Sequence, residues 1–156
     1  EISSNDLNLR DIDYFDIVSK TVKIASKIHT KDSKIIAGKN RYQKRTRDIT
    51  TKPSSASSVA IDSSSLGGIY SGKITIIATE EGSGANLPDI NSEQEIVITA
   101  DGKIVHKSLS ADQISIESKS SDIVALEKAN IESRKEFGSK AGKKLFTRKI
   151  LRFLQK

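Results

Sequence analysis

Cysteine, methionine and tryptophan are absent from this 156-residue chain, and only two prolines occur. Without cysteine there are no disulfides, no thiolate metal sites and no thiol catalysis. That absence does not fix a compartment, but it suits a secreted chain that stays unfolded while crossing membranes. Aromatic residues make up 4% and apolar residues 35% of the chain, against roughly 45–50% apolar in typical domains, a range that also counts glycine. A thick globular core is therefore not expected. A solenoid escapes this limit, because each coil buries a thin stripe against its neighbours. No apolar run approaches the ~20 residues of a membrane helix. The first residue is Glu1, with no apolar leader behind it, which reads as a mature piece or an internal fragment.

The net charge of +6 divides unevenly. Residues 127–156 carry ten Lys/Arg and three Asp/Glu, a net of +7, so the other 126 residues sum to −1. A second basic cluster, Lys39 to Lys52, surrounds RYQKRTR. Electrostatic arguments about nucleic acid or membranes belong to these two segments.

What is present is alternation. Ile and Val alternate with polar residues in short runs parted by polar turns, the period-2 signature of half-buried strands. Ile74-x-Ile76, Ile96-x-Ile98 and Ile114-x-Ile116 recur at offsets of 22 and 18 residues, a period near that of a β-solenoid coil. An antiparallel sandwich also has short strands, but Asp101-Gly102 is the one hairpin-type turn signal here. Phe15, Ile17, Val22 and Ile24 fall in strand-like positions, the segment up to Asp11 reads as irregular, and Gly38 suits a turn with positive φ. Residues 39–58 read as an exposed, mobile loop. A tight turn is expected at Leu66-Gly67-Gly68 and another through Gly82 and Gly84.

Strand alternation weakens near Ile123, and Ala, Glu, Lys and Arg dominate from Leu126 on. Leu145 to Lys156 fits a helix with Phe146, Ile150, Phe153 and Leu154 on one arc and basic residues opposite. The expected division is therefore a β-helical body over 1–126 and a basic amphipathic tail over 127–156. The tail either caps the last coil or meets an anionic surface through Lys143, Lys144, Arg148, Lys149 and Arg152.

Catalytic chemistry finds little support. Gly67-Gly68 precedes a strand, whereas a phosphate cradle opens a helix. The Glu80-Glu81 neighbours point to opposite faces of a strand or sit in a solvated turn. His29 and His106 have no partner at ligand spacing and read as surface or coil-edge residues, and no Gly-x-Ser-x-Gly elbow occurs. No catalytic residue, metal site or cofactor is expected.

Two long stretches carry a resemblance. Tyr14–Tyr42 and Val59–Leu87 contain Tyr14-Phe15-Asp16, Gly38-x-Asn40, Leu66-Gly67-Gly68-Ile69-Tyr70 and Thr79-Glu80-x-Gly82, in that order. They resemble the secretion domain of two-partner-secretion exoproteins, the group of filamentous haemagglutinins, secreted haemolysins and contact-dependent growth inhibition proteins. Residues 88–126 resemble the haemagglutinin coil repeats. The resemblance implies a right-handed parallel β-helix, secreted to a Gram-negative cell surface through an outer-membrane β-barrel transporter, acting in adhesion, cytolysis or competition on an unknown host or neighbouring-cell receptor. The family's upstream Asn-Pro-Asn motifs are not in this sequence, so a fragment that is exported poorly by itself is expected. Two other classes stay open: a carbohydrate-active β-helix enzyme, and a basic membrane- or nucleic-acid-binding protein acting through its tail.

Overall fold

The structure, a computed structural model, describes residues 6–51, 59–62 and 68–146. These form strands only: β1 (Leu7–Leu9), β2 (Phe15–Ser19), β3 (Val22–Lys23), β4 (Lys27–Ala37), β5 (Asn40–Gln43), β6 (Asp48–Thr51), β7 (Val59–Asp62), β8 (Gly68–Ala78), β9 (Gly84–Leu87), β10 (Asp89–Ala100), β11 (Ile104–His106), β12 (Leu109–Ser118), β13 (Ile123–Ala125), β14 (Ile131–Ala141) and β15 (Leu145–Phe146). Two parallel sheets result. The long strands stack in the order β1-β4-β8-β10-β12-β14, with β2 also on β4, and the short strands in the order β15-β13-β11-β9-β7-β3. Each later coil is thus one long strand and one short strand, and the chain is a parallel β-solenoid. The sandwich alternative falls, because both sheets are parallel throughout.

The core is a set of columns. Ile74, Ile96 and Ile114 are register partners, as are Ile76, Ile98 and Ile116, and all six are at most 2% exposed. Ile28, Ile69, Ile90, Leu109 and Ile131 form another column, and Ile61, Ala85, Ile104 and Ile123 run through the short strands. Ala37, Ala78, Ala100, Ser118 and Ala141 keep one column small throughout. Burying one Ile in this way contributes about 1.5–3 kcal/mol.

The long strands β4, β8, β10 and β14 each carry a hydroxyl at their corner, where β12 has Ala111. Thr30 Oγ1 donates to the Asp32 carbonyl at 2.8 Å, Ser71 Oγ to that of Lys73 at 2.9 Å, Ser92 Oγ to that of Gly72 at 2.8 Å, and Ser133 Oγ to that of Asp112 at 3.0 Å. All four residues are buried. A side chain that satisfies carbonyls freed from the ladder lets a buried strand turn without orphaned groups.

Several expectations need correction. The exposed loop at 39–58 contains an antiparallel hairpin, β5 on β6, pairing Tyr42 with Ile49; residues 52–58 lie outside the described residues. The segment up to Asp11 contributes β1, paired to β4. Gly68 is a strand residue: a methyl there would meet Tyr70 Cε2 at 2.8 Å. The turn at Gly82 does have positive φ (73°), as does Gly38 (117°). The solenoid continues past residue 126, because β14 pairs along β12 and β15 pairs with β13. Leu145 and Phe146, placed in a helix by their spacing, are strand residues, and 147–156 lie outside the described residues. His106 is no surface histidine. It is fully buried on β11, in register with Leu87 and Ala125.

Two measurements check this architecture. Ile96→Ala is expected to cost about 2–5 kcal/mol in denaturant unfolding, and the outward Thr99→Ala less than about 0.5 kcal/mol. Burial pulls the His106 pKa down, only partly opposed by the 2.7 Å contact of its Nδ1 with the Lys107 carbonyl. The unfolded chain therefore binds the proton more readily than the folded one, so stability rises with pH. Thermal stability is expected to fall as pH drops through about 6.5, and His106→Leu to flatten the profile in that window.

Candidate functional site

The quoted motifs come together at one corner of the solenoid. β4 ends at Ala37 and β8 ends at Ala78, and these two are register partners. The turn residues that follow them are therefore stacked. Gly38 turns with φ +117°, and a methyl group there would collide with Thr79 Oγ1. Thr79 Oγ1 donates to the Ala37 carbonyl at 3.2 Å and lies 3.0 Å from Asn40 Oδ1. Glu80, only 1% exposed, accepts the Lys39 amide through Oε1 at 3.2 Å, while its Oε2 has no hydrogen-bond partner among the described residues. Gly82 N–H donates to Asp101 Oδ1 of the next coil at 2.7 Å. Gly38, Asn40, Thr79, Glu80 and Gly82 are thus one interlocked turn, and their chemistry is backbone satisfaction.

The remaining motif residues meet beside it. Tyr14 precedes β2, which Phe15 and Asp16 open, with Phe15 packed inward and Asp16 pointing outward. Arg47, at the end of the hairpin turn, donates through Nη2 to Asp16 Oδ1 at 2.5 Å and through Nη1 to Asp32 Oδ2 at 2.7 Å. Tyr42 donates its hydroxyl to Asp16 Oδ2. The Arg47 guanidinium also lies over the Tyr14 ring, 4.7 Å from its centroid, and its carbonyl accepts from Lys34 Nζ at 2.7 Å. Hydrogen bonds to Asp32 first and Asp16 second push the Arg47 pKa up. Burial, then Asp16, raises that of Tyr42. Both carboxylates are committed to the guanidinium, so the cluster is a latch that pins the hairpin to the sheet. Arg47 holds φ at 58°, a conformation that costs a non-glycine residue about 1–2 kcal/mol and that the two ion pairs offset.

Sequence reasoning missed this latch because Arg47 looked like one more cation in a basic loop. The available signal was Tyr42 and Ile49 at matching alternate positions around a short polar turn. The hairpin leaves Lys39, Arg41, Lys44 and Arg45 exposed. Of the residues expected to meet an anionic surface, Lys143 and Lys144 are exposed in the turn between β14 and β15. Their amides are held by the Ser121 carbonyl and by Asp122. Arg148, Lys149 and Arg152 lie outside the described residues, as does Gly67. Tyr70 faces outward on β8 and stacks on His29.

The family model described as TPS secretion domain matches residues 2–106. The chain is 35% identical over 111 residues to "Toxin CdiA" of Yersinia pestis, covering 68% of this chain and 3% of that protein. It is 34% identical over 103 residues to "16S rRNA endonuclease CdiA" of Enterobacter cloacae, covering 65% and 3%. Against "Filamentous hemagglutinin" of Bordetella pertussis it is 29% identical over 115 residues, covering 66% and 3%. The chain therefore spans about 3% of the length of these curated relatives. No solved structure matches it.

Removing the latch has a local readout. Arg47→Met is expected to raise tryptic cleavage after Lys44 and Arg45 by about tenfold or more, because the hairpin then opens without global unfolding. The melting midpoint of the solenoid should fall by only a few degrees.

Proposed function

The chain belongs to the family of TPS secretion domains, the export domains of two-partner secretion, and on that premise we propose that it directs a longer exoprotein through an outer-membrane β-barrel transporter. The parent is a secreted protein of the Gram-negative cell surface, as two-partner-secretion exoproteins are. The observation that carries the export role is the family match over residues 2–106, which takes in both the latch and the interlocked turn. The transporter's periplasmic face is the first partner in this reading. A receptor on a host or neighbouring cell is the second, engaged by the parent as an adhesin of the haemagglutinin type. Support for the adhesin reading is the similarity to the relative named filamentous hemagglutinin.

The architecture suits vectorial export. Each coil contacts only its neighbours, so folding propagates from one finished coil to the next as chain emerges. The absence of cysteine removes any covalent cross-link that would obstruct threading. Some relatives carry nuclease names. We assign this segment no catalytic part in such a parent, because Asp16 and Asp32 are held by Arg47 and Glu80 is buried in the turn.

The test is export of the parent's N-terminal region, this chain included, fused to a reporter and co-expressed with its transporter. Reporter is expected in the medium only when the transporter is present. Gly38→Val, which closes the space occupied by Thr79, should reduce export severalfold. Equal export with and without the transporter overturns the assignment.

A further inference from the structure

Beside the bent corner an outward row runs in register across neighbouring coils: Asn8, His29, Tyr70, Asn91 and Ser110. The His29 and Tyr70 rings stack with centroids 4.9 Å apart and planes 11° apart, and the Tyr70 ring leans over Gly68, where a side chain would displace it. Arg10 Nη2 donates to His29 Nδ1 at 3.1 Å. A guanidinium only donates, so Nδ1 accepts and Nε2 carries the ring hydrogen. Around these rings lies an open groove of about 620 Å³ that runs past Gly72 to Asn91, Glu93 and Gln94. From the β1 coil to the β10 coil it crosses three strand spacings, about 14 Å. Among the described residues, the Tyr70 hydroxyl and the side chains of Asn91, Glu93 and Gln94 make no hydrogen bond.

We propose that this groove binds a short, uncharged oligosaccharide. A sugar ring offers an apolar C–H face and a rim of hydroxyls that both donate and accept. The stacked rings supply flat apolar surface for the first. The amides of Asn91 and Gln94, the Glu93 carboxylate and the Tyr70 hydroxyl supply donors and acceptors for the second. Other occupants fit less well. A polyanion would meet Glu93 as well as Arg10, and Lys31 is already paired with Asp13 at 3.1 Å. A peptide strand has no edge to extend, because the sheet under the groove is paired on both sides. Along β4 this site lies before the corner at Thr30 and the latch after it, at Asp32 and Lys34; the proposal goes beyond the export role, and its test needs no transporter.

The experiment titrates the full chain with cellotriose and with triacetylchitotriose, reading the heat of binding by calorimetry, which needs no fluorophore in the groove. A saturable change is expected with at least one of the two sugars. Tyr70→Ala should weaken that binding by about tenfold, the scale of a lost ring stack, while Tyr70→Phe stays within about threefold. Gln94→Ala, an exposed change that leaves the core intact, should weaken it severalfold, so the result does not depend on Tyr70→Ala folding. The proposal is overturned if neither sugar gives saturable binding up to about 10 mM, ten times a millimolar dissociation constant. It is equally overturned if Gln94→Ala and a folded Tyr70→Ala bind as the unaltered chain does. Salt-sensitive binding of heparin in place of either sugar would also overturn it, as the mark of a polyanion site.

Discussion

Parallel stacking in register is the constraint from which the rest of this molecule follows. Adjacent strands lie about 4.8 Å apart, so an inward side chain has the same position of the next coil directly above it and no freedom to interdigitate sideways. Stacking therefore favours columns of matched size, though not strictly: Ala85 sits between Ile61 and Ile104. The Ile74–Ile96–Ile114 column and the small Ala37–Ala78–Ala100 column are two answers to the same condition, one where the interior is wide and one where it narrows. Glycines mark the points where the backbones themselves approach. At Gly102 a methyl group would strike the Gly82 carbonyl, and at Gly142 it would strike that of Lys119. Length variation is pushed to the corners, where two residues separate Ser92 from Glu95 but one separates Ser71 from Lys73.

The hairpin is the largest such variation, and it shows what an insertion needs in order to stay. By register, Val18, Ile36 and Ile77 form an outward row. Ile36 is nevertheless fully buried and lies outside the interior cluster. The hairpin lies over this face, tied down through Asp16, Asp32 and Lys34. Packing alone would leave a two-stranded ribbon marginal. Arg47 supplies the missing direction: one planar group forks to two carboxylates on different coils, which fixes the ribbon's angle as well as its position.

Much of the solenoid was legible because the Ile alternation is strict wherever neighbours above and below are also aliphatic. Legibility fails where that condition lapses. In β14 the partners of Ile114 and Ile116 are Phe137 and Ser139, and Arg134 and Lys135 interrupt the alternation at the corner. A strand written with so many charges reads as a tail, and only register against β12 reveals it. His106 was misplaced for a related reason: a lone histidine in a polar run looks exposed, yet the Leu87 column turns it inward. The latch was invisible for a third reason. Its members Asp16, Asp32, Tyr42 and Arg47 are distant in sequence, and each is an ordinary polar residue until the coils superimpose them. The export role was legible only through the resemblance of the long motifs, since composition and period describe any thin solenoid.

The charges of β14 also bear on how a coil with a weaker aliphatic column joins well-matched ones. β14 is the outermost long strand among the described residues, and an exposed strand edge invites pairing with any other chain. Here the outward side chains are committed inward along the stack. Arg134 contacts Asp112 at 2.5 Å and reaches the Glu93 carbonyl two coils away at 2.8 Å, Lys135 pairs with the same Asp112, and Lys140 pairs with Glu117 at 3.1 Å. Lys135 first and Arg134 second draw the Asp112 pKa down. Exposed pairs of this kind contribute little energy each. Their effect is geometric: they fasten a coil with a weaker aliphatic column to the coils already formed. In a molecule that grows by adding coils, that keeps the β14 layer in register with the layers before it.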